Sequence, residues 1–293
     1  MVQVSFFGVR GSAAAPGDDT RRYGGNTSCV VVDAPDHEPI VCDLGTGLRR
    51  WARTQPLDGS FRATALLTHL HWDHIQGFPF FAPLDRAGAH LTLYGPAQEA
   101  MTLCEAFDRL MGPPFFPIRA ADLRGTVEFH DLPGIAPVEF DVGRARVRAV
   151  AVPHIGLTIG YRIELDGVSV AYVSDVQQPL DGSGPDPAVV DLVRGVDVLI
   201  HDAQYTPVDW ETKCTWGHST IDHALLTAKA ADVGTLALFH HDPARSDDEL
   251  DAISLVMTQH STELGLEVLV ATEGCTLDLN AAVPTQLSAI TRH

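Results

Sequence analysis

The sequence of 293 residues has few cysteines and no long apolar run. Its five cysteines are scattered without CxxC spacing, which argues against a disulfide framework and against a cysteine zinc site. No apolar run approaches the roughly 18 residues that a membrane span needs. The N-terminal segment also lacks a basic stretch followed by an apolar core and a small-residue cleavage site. We therefore expect a cytoplasmic protein with reduced thiols, no signal peptide and no membrane partner.

Basic residues are scarce as well, because 38 acidic residues stand against 20 basic ones and give a formal net charge of −18. A protein that grips an extended nucleic acid usually carries a basic stripe, since phosphate contacts dominate its affinity. The closest features in this sequence are two arginine pairs, Arg21-Arg22 and Arg49-Arg50. We therefore expect a small anionic substrate rather than an extended nucleic acid, with metal ions supplying the local positive charge.

The densest group of ionisable side chains is His69-Leu70-His71-Trp72-Asp73-His74, which follows a strand-like apolar run over residues 62–68. Three imidazoles and a carboxylate are unfavourable in an apolar core, because each needs a hydrogen-bond or charge partner when it is buried. They are good ligands for a divalent metal such as zinc. On a strand followed by a loop, His69 and His71 point the same way, and we expect Asp73 and His74 to turn toward a second ion. The alternative is a solvated, histidine-rich loop.

The predicted elements fall into a strand-rich half and a half in which helices and strands alternate, within one domain over residues 1–293. Successive strands are predicted between residues 126 and 175, with a hairpin signal at residues 165–168. Helices are predicted over residues 48–55, 96–110 and 247–264. The proline-rich segment 113–117 is predicted to be a loop that could line a pocket or an interface. This order favours an α/β sandwich of two mixed sheets flanked by helices.

Three further strands are predicted to end in a metal-binding residue, and these residues are His154, Asp175 and His240. A single polar strand end is common, whereas three of them after a dense motif favour a shared metal site. His218 precedes an amphipathic helix and Asp202 follows a strand, and a histidine with a carboxylate partner is a typical acid or base at neutral pH. The other histidines are expected to be surface or ordinary polar residues, namely His37, His90, His130, His223, His241, His260 and His293.

The motif HLHWDH at 69–74, followed by His154, Asp175 and His240, resembles the metallo-β-lactamase superfamily of binuclear metallohydrolases. LIHDAQY at 199–205 and GHST at 217–220 are similar to the ribonuclease Z-like branch of phosphodiesterases. FFGVRGS at 6–12 and YGGNTSC at 23–29 resemble a bacterial subgroup of that branch, some members of which hydrolyse cyclic nucleotides. The resemblance covers nearly the whole chain and implies an αββα sandwich and a homodimer, for which the 113–117 loop offers a contact.

The resemblance also implies a set of site residues. One zinc would be held by His69, His71 and His154, the other by Asp73, His74 and His240, and Asp175 would bridge the two. Manganese or iron would suit the same ligands. The catalytic histidine corresponds to His218 and its orienting acid to Asp202, where ribonuclease Z usually has glutamate. This shorter side chain puts the contact between the two residues in doubt.

Taken together, these residues predict a two-metal phosphodiesterase, in which a water of lowered pKa attacks phosphorus. Asp73 would orient this nucleophile or receive its proton, and His218 would contact the phosphate or protonate the leaving alkoxide. Arg10 or Arg21 are weaker candidates for a phosphate contact. Three residues of the predicted loop before His218 could flank a base, although a packed loop is the simpler interpretation, and they are Trp210, Lys213 and Trp216.

Several substrates fit this chemistry. A cyclic nucleotide such as cyclic AMP or cyclic GMP is the first expectation, because the acidic charge favours a compact ligand and the long basic arm of ribonuclease Z is missing. The first alternative is a tRNA 3′-end processing endonuclease. Thioester or lactam hydrolysis is a second alternative, against which the GHST motif and the His218–Asp202 pair argue. A metal-stabilised binding or sensor protein without turnover is the non-enzymatic alternative.

Overall fold

Two β-sheets form the centre of the structure, a computed structural model that describes residues 1–98, 100–134, 137–279 and 287–292. Their strands are numbered in chain order: β1 (Val2–Gly8), β2 (Cys29–Asp33), β3 (Ile40–Cys42), β4 (Arg62–Leu66), β5 (His90–Pro96), β6 (Thr126–Leu132), β7 (Val138–Val142), β8 (Ala145–Val152), β9 (Thr158–Leu165), β10 (Val168–Val173), β11 (Val198–Asp202), β12 (Thr235–Phe239), β13 (Glu267–Val270), β14 (Cys275–Leu279) and β15 (Leu287–Arg292). Both sheets are mixed, because each combines antiparallel pairs with a run of parallel ones.

The first sheet has the strand order β15-β14-β1-β2-β3-β4-β5-β6, and the second has the order β13-β12-β11-β10-β9-β8-β7. In the second sheet, β10, β11, β12 and β13 run parallel, so their carboxyl ends meet at one edge. In the first sheet, β3 and β4 run parallel as well. Parallel neighbours of this kind need crossover connections, which the helices supply.

The helices of the described residues lie outside the two sheets, and they are α1 (Leu48–Trp51), α2 (Trp72–Ile75), α3 (Leu103–Leu110), α4 (Pro187–Val193), α5 (Pro207–Lys213), α6 (Ile221–Ala230) and α7 (Asp247–Leu264). Several begin with a side-chain cap that satisfies a free backbone N–H. Thr102, Thr206 and Ser246 each form a capping box, at α3, α5 and α7 respectively. These caps fix where each helix begins.

Three apolar clusters define the layers. One lies between the sheets and joins residues of both, such as Val4 and Phe6 of β1 with Tyr172 of β10 and Phe239 of β12. A second packs α4, α6 and α7 against the outer face of the second sheet. A third packs α1 and α3 against the outer face of the first. The predicted αββα sandwich is therefore confirmed.

Some element boundaries differ from the sequence-based prediction. The helix predicted over 96–110 begins only at Leu103, because the side chain of Thr102 caps it there. Residues 206–213, predicted as part of a loop, contain helix α5 behind the cap of Thr206. The final helix over Asp247–Leu264 has the predicted bounds. No helix within the described ranges is long and apolar enough to cross a membrane.

Candidate metal centre

Four strands of the two sheets end at one place and deliver the predicted cluster. The motif at 69–74 follows β4, His154 follows β8, Asp175 follows β10 and His240 follows β12. The backbone of His240, directly after β12, has a left-handed conformation with φ of 61°. Because strand ends fix the backbone, the side chains are held by the sheets rather than by a free loop. They form two groups of potential metal-binding residues, His69, His71 and His154, and Asp73, His74, Asp175 and His240.

The first group is a histidine triad whose candidate ligand atoms all lie within 4.8 Å of one another. His69 is buried, His154 is half-buried and His71 is exposed. Nδ1 of His71 lies 3.3 Å from Nε2 of His154. The Nδ1 atom of His154 donates to the carbonyl of Gly217 at 2.6 Å, which leaves Nε2 free to bind a metal. The triad therefore presents its imidazoles to one common point.

The second group is fully buried and pairs two imidazoles with two carboxylates. Nε2 of His74 lies 3.2 Å from Oδ2 of Asp73, and Nε2 of His240 lies 3.1 Å from the same oxygen. The backbone N–H of Ser12 also donates to this oxygen at 2.7 Å, which fixes the carboxylate. These residues differ from the first group because they bring negative charge into the core.

Asp175 stands between the two groups and turns one oxygen toward each. Its Oδ2 lies 3.8 Å from Nε2 of both His69 and His154. Its Oδ1 lies 3.2 Å from Nε2 of His74 and 3.3 Å from Nε2 of His240. A carboxylate in this position has the geometry needed to bridge two ions.

Buried polar atoms without a partner show that the cluster fits a pair of cations. Nε2 of His69, Nε2 of His74 and Oδ1 of Asp175 are buried and form no hydrogen bond in the described structure. Leaving such atoms unpaired costs free energy, and a divalent cation would satisfy all of them. Imidazole nitrogen and carboxylate oxygen are also the ligands that zinc takes. The residues present therefore fit a dinuclear divalent metal centre.

The protonation states of the triad and of Asp175 support this fit. Burial, reinforced by neighbouring imidazoles, lowers the pKa of His69 well below its usual range. Burial also lowers the pKa values of His71 and His154. All three are then neutral at pH 7, the form in which imidazole binds a metal. Although burial opposes it, the surrounding imidazoles, above all His240, lower the pKa of Asp175 well below its usual range and keep it ionised.

Asp43 contacts the second group through the ring nitrogen of His74 that faces away from Asp73 and Asp175. Its Oδ2 accepts from Nδ1 of His74 at 2.7 Å and from the hydroxyl of Tyr172 at 2.9 Å. Its Oδ1 accepts from the backbone N–H of Thr68 at 2.8 Å. A carboxylate on the far nitrogen of a metal-binding histidine fixes its tautomer and orientation. The sequence analysis missed Asp43, although it directly follows the strand Ile40–Cys42 and so carries the same strand-end signal as Asp175.

Gln204 orients the other buried imidazole. Its Oε1 lies 3.0 Å from Nδ1 of His240, and its Nε2 donates to the hydroxyl of Ser12 at 3.1 Å. Since the N–H of Ser12 donates to Asp73, Gln204 links both carboxylate and imidazole of the second group. Gln204 and Ser12 lie within the motifs at 199–205 and 6–12, but nothing in those motifs marks their roles, because an amide and a hydroxyl in loops are usually only surface polar residues.

His218 and Asp202 form the predicted pair beside the cluster. Nδ1 of His218 lies 3.0 Å from Oδ2 of Asp202, so the contact that the shorter side chain put in doubt is present. Both side chains are buried. Burial opposes protonation, but the charge and hydrogen bond of Asp202 raise the pKa of His218. The ring of His218 lies 5.0 Å from that of His240, which places it at the centre's edge.

The two arginines considered for a phosphate contact differ in position. Arg10 is fully buried, and its guanidinium donates to the carbonyls of Gly24 and Arg245 at 2.8 and 2.6 Å. It therefore braces the backbone and is not available to a substrate. Arg21 is exposed and forms an ion pair with Asp18 at 2.7 Å.

The segment before His218 carries an exposed aromatic ring beside a cation. Trp216 is 59% exposed, and the ammonium group of Lys213 lies 5.9 Å from the centre of its ring. The same ammonium forms an ion pair with Asp242 at 2.5 Å. Trp210 is half-buried on helix α5. Of the three, Trp216 is the one whose ring is open to a substrate.

The histidines expected to lie outside the site show two environments. His241 is buried and its Nε2 contacts the carbonyl of Ala271 at 2.8 Å, while His223 is buried on helix α6. Burial lowers the pKa values of these two residues to about 3 and about 4, so both are neutral core residues rather than surface ones. Partly exposed positions hold His37, His90 and His130. The side chain of His260 and the whole of His293 lie outside the described residues.

Comparison with known proteins places this architecture in a family. Residues 39–241, well over half of the chain, match the family described as the beta-lactamase superfamily domain. The chain is 27% identical to a ribonuclease Z of Natronomonas pharaonis, over 95% of this chain and 98% of the relative.

Two solved structures share the fold. A metallo-β-lactamase fold protein from Bacillus subtilis superposes with a TM-score of 0.69 at 18% identity, covering 95% of this chain and all of that one. The short form of human tRNase Z superposes with a TM-score of 0.70 at 20% identity, covering 95% and 99%. The chain thus belongs to the metallo-β-lactamase superfamily, in the ribonuclease Z-like branch of its metal-dependent hydrolases.

Proposed function

We propose that this cluster binds two divalent cations, zinc in the first place, and that the protein hydrolyses phosphodiester bonds of nucleotides. The first cation would be held by the triad His69, His71 and His154. The observation that carries the proposal is the position of Asp175, whose two oxygens face the two groups separately. A pair of cations bound there would supply a nucleophile at neutral pH and neutralise charge on the phosphate oxygens.

The second cation would be held by Asp73, His74 and His240, with Asp175 shared between both positions. Asp73 has a further task, because its Oδ2 is fixed by the N–H of Ser12 and can orient the attacking water or accept its proton. Neutral imidazoles in the triad avoid adding positive charge that would compete with the cations. Manganese or iron would be accepted by the same ligands.

His218 would act on the side of the leaving group. Its Nδ1 is held by Asp202, which leaves Nε2 to contact the phosphate or to protonate the departing alkoxide. The raised pKa of His218 favours the protonated ring, which is the form that can donate. This pair favours phosphodiester over thioester hydrolysis, because an alkoxide leaving group needs a proton and a thiolate does not.

Two substrates are supported by different observations. The net charge of −18 and the missing basic arm favour a cyclic nucleotide such as cyclic AMP or cyclic GMP. The similarity to proteins named ribonuclease Z favours the 3′ end of a tRNA precursor. Both are nucleotide phosphodiesters and would use the same centre.

A screen of metal-loaded protein tests the function. It compares bis(p-nitrophenyl) phosphate, cyclic AMP, cyclic GMP, a linear dinucleotide, a precursor tRNA, a lactam and a thioester. We expect turnover of phosphodiesters only. Binding of a nucleotide without any turnover would support a sensor instead, and hydrolysis of only the lactam or thioester would contradict the proposal.

The matched variant for this screen is His71→Ala. His71 is exposed and belongs to the triad, so its removal should abolish activity while the protein stays folded. His90→Ala is the control, since His90 lies on β5 and belongs to none of the metal-binding groups. Circular dichroism and the metal content of each protein complete the comparison. An unchanged rate for purified His71→Ala would rule out the assigned site.

The homodimer and the cytoplasmic location stay predictions. A contact between two copies at the loop 113–117 is consistent with Phe115, whose side chain is 87% exposed. Light scattering of the wild type and of Phe115→Ser would check this. A dimer that dissociates in the variant supports the contact, and a wild-type monomer contradicts the dimer.

A further inference from the structure

Two adjoining cavities lie beside helix α1, and none of the imidazoles of the metal centre lines either of them. One has a volume of about 840 Å³ and is lined by Arg49, Arg50 and Arg53. The other has a volume of about 870 Å³ and is lined by Arg21 and Arg49. Because Asn26, Thr46, Arg49 and Glu273 line both, the cavities are two halves of one groove. We call it the arginine groove, defined by Arg21, Arg49, Arg50 and Arg53.

The charge of this groove is opposite to that of the whole chain. Its four arginines face only two lining carboxylates, those of Asp18 and Glu273, although the chain carries 38 acids and 20 bases. Glu273 is already engaged, because it accepts from Arg50 at 2.7 Å and from the side-chain amide of Asn26 at 2.8 Å. A concave surface of one sign concentrates ligands of the other sign.

Arg49 and Arg53 are the two cations of the groove without an acidic partner. Both are exposed, and neither forms an ion pair in the part of the chain that the structure describes. Elsewhere on the surface, exposed arginines such as Arg124, Arg144 and Arg146 each contact a carboxylate. Arg49 lies on α1 and Arg53 lies in the 3-10 turn that follows it, and both line the same cavity.

The groove begins next to the metal centre. Gln76 and Gly77, which line it, directly follow the helix that carries Asp73 and His74. Ala14 lines the same half and lies two residues beyond Ser12, whose N–H holds Asp73. The same two chain segments therefore contribute to the centre and to the wall of the groove. Phe80 also lines the groove, and because this residue is 60% exposed its ring can stack on a base.

We propose that the arginine groove binds the phosphate backbone of a single-stranded nucleic acid whose scissile bond lies at the metal centre. The proposal rests on the proposed phosphodiesterase function and names a substrate class for it. A lone phosphate would need one compact group of donors, whereas these arginines are spread over two cavities and match a repeating anion. Arg49 and Arg53 supply phosphate contacts that carry no sequence information, and Phe80 supplies stacking.

The test measures binding of a fluorescently labelled single-stranded RNA by anisotropy, with zinc-loaded protein in a His218→Ala background that suppresses turnover. The groove variant is Arg49→Glu with Arg53→Glu. The control is Arg194→Glu with Lys229→Glu, two exposed positions on the α4 and α6 side, which changes the net charge equally. Melting temperature and zinc content confirm that each protein is intact.

We expect the groove variant to bind the RNA at least about 10-fold more weakly at low salt, and the control to bind like the parent. Each lost contact to a single strand removes about 0.7 from the slope of log affinity against log salt, so the slope should fall by about 1.4. Arg49→Gln with Arg53→Gln should reproduce the change in slope. The proposal would be overturned if the groove variant and the control lost the same amount of RNA affinity, or if the parent protein bound no RNA.

The outcome is separable from that of the catalytic proposal. Binding through the groove without hydrolysis of any phosphodiester would contradict the proposed function and leave the groove assignment in place. If the protein hydrolyses small phosphodiesters but its affinity for RNA is the same with and without Arg49 and Arg53, the proposed role of the groove is wrong. The proposed phosphodiesterase function would then still stand.

Discussion

Asp202 fixes the orientation of His218 through three donors. Its Oδ2 accepts from Nδ1 of His218 at 3.0 Å and from the N–H of Val176 at 3.1 Å. Its Oδ1 accepts from the N–H of Gln204 at 3.0 Å. Because the carboxylate is buried and immobile, the imidazole has a single tautomer and a single ring position.

Asp202→Asn tests this role. The amide keeps the shape of the carboxylate but removes its charge, so His218 loses both its raised pKa and its preferred tautomer. We expect kcat for bis(p-nitrophenyl) phosphate to fall about 10²- to 10⁴-fold, the usual contribution of a positioned acid or base. Metal content, measured by atomic absorption, should stay that of the wild type. A large loss of metal would show that Asp202 supports the cations instead of His218.

Asp43 has the corresponding role for His74. Asp43→Asn keeps the volume but replaces an ionised acceptor by an amide in a fully buried network with Thr68 and Tyr172. Loss of such an outer partner typically weakens metal binding about 10- to 100-fold. We expect that change for one of the two proposed cations in zinc-loaded protein, measured by competition with a chromophoric chelator. Equal weakening of both ions, or of neither, would contradict the assignment of Asp43 to the second group.

At the scale of residues, the sequence pointed most directly to side chains that have few other uses in a folded chain. A histidine or aspartate directly after an apolar strand needs either solvent or a binding partner for its polar atoms. For that reason the sequence indicated His154, Asp175 and His240 as candidate metal-binding residues. Asp43 carried the same signal and was missed because its strand is only three residues long. Gln204 and Ser12 lie within the motifs at 199–205 and 6–12, but their roles could not be predicted, since their contacts are made between segments far apart in the sequence.

At the scale of elements, the strands were more predictable than the short helices. Alternating burial along β1 and β8 follows the apolar pattern of the sequence. Helix α2, with four residues, is too short to show a period, and it forms because tertiary contacts hold His74 and Asp73 in place. Helix α5 was missed for the same reason, although Thr206 and Asp209 carry the signature of a capping box.

Gly217 joins the turn before α6 to the triad. Its φ is +94°, and an added Cβ would lie 2.7 Å from the ring of His154. Its N–H donates to Gln177 at 2.8 Å, and its carbonyl accepts from His154 at 2.6 Å. Any side chain at this position must therefore displace the ring of His154.

Gly217→Ala should lose the cation proposed for the triad and most of the activity toward phosphodiesters while remaining folded. Gly195→Ala is the matched control, because Gly195 also has a positive φ, of 62°, but nothing lies within 4 Å of its added Cβ. Both variants carry a backbone strain of about 1 kcal/mol or more, but only Gly217→Ala adds a close contact with His154. The measurements are zinc stoichiometry and hydrolysis rate. If both variants lose zinc to the same extent, strain rather than displacement of His154 is responsible.

At the scale of the whole molecule, the layered fold followed from the sequence but the charge distribution did not. Alternation of strands and helices predicts two sheets covered by helices, since each apolar face needs a partner. The net charge of −18 gave no indication that Arg21 and Arg49, 28 residues apart in the sequence, line one cavity. Local fields depend on tertiary neighbours, and those neighbours are set by the fold.

The metal centre also bears on the stability of the whole chain, because it joins both sheets. His69 and His74 come from the first sheet, and Asp175 and His240 from the second, so bound cations would cross-link the two layers. Without them, the unpaired atoms of His69, His74 and Asp175 remain buried at a cost. Cations that bind only the folded chain stabilise it by about 4 kcal/mol when their free concentration is about 1,000 times Kd.

We therefore expect chelation with EDTA to lower the melting temperature by on the order of 10 °C, at about 2 to 4 °C per kcal/mol for a protein of this size. Adding zinc back should restore it, and His71→Ala should show a smaller shift because one cation is already lost. Calorimetry would measure this and would also test the predicted single domain over residues 1–293, for which one cooperative transition is expected. If EDTA does not change the melting temperature of the wild type, the centre makes no contribution to stability. Removing cations that bridge two sheets must lower the free energy of unfolding.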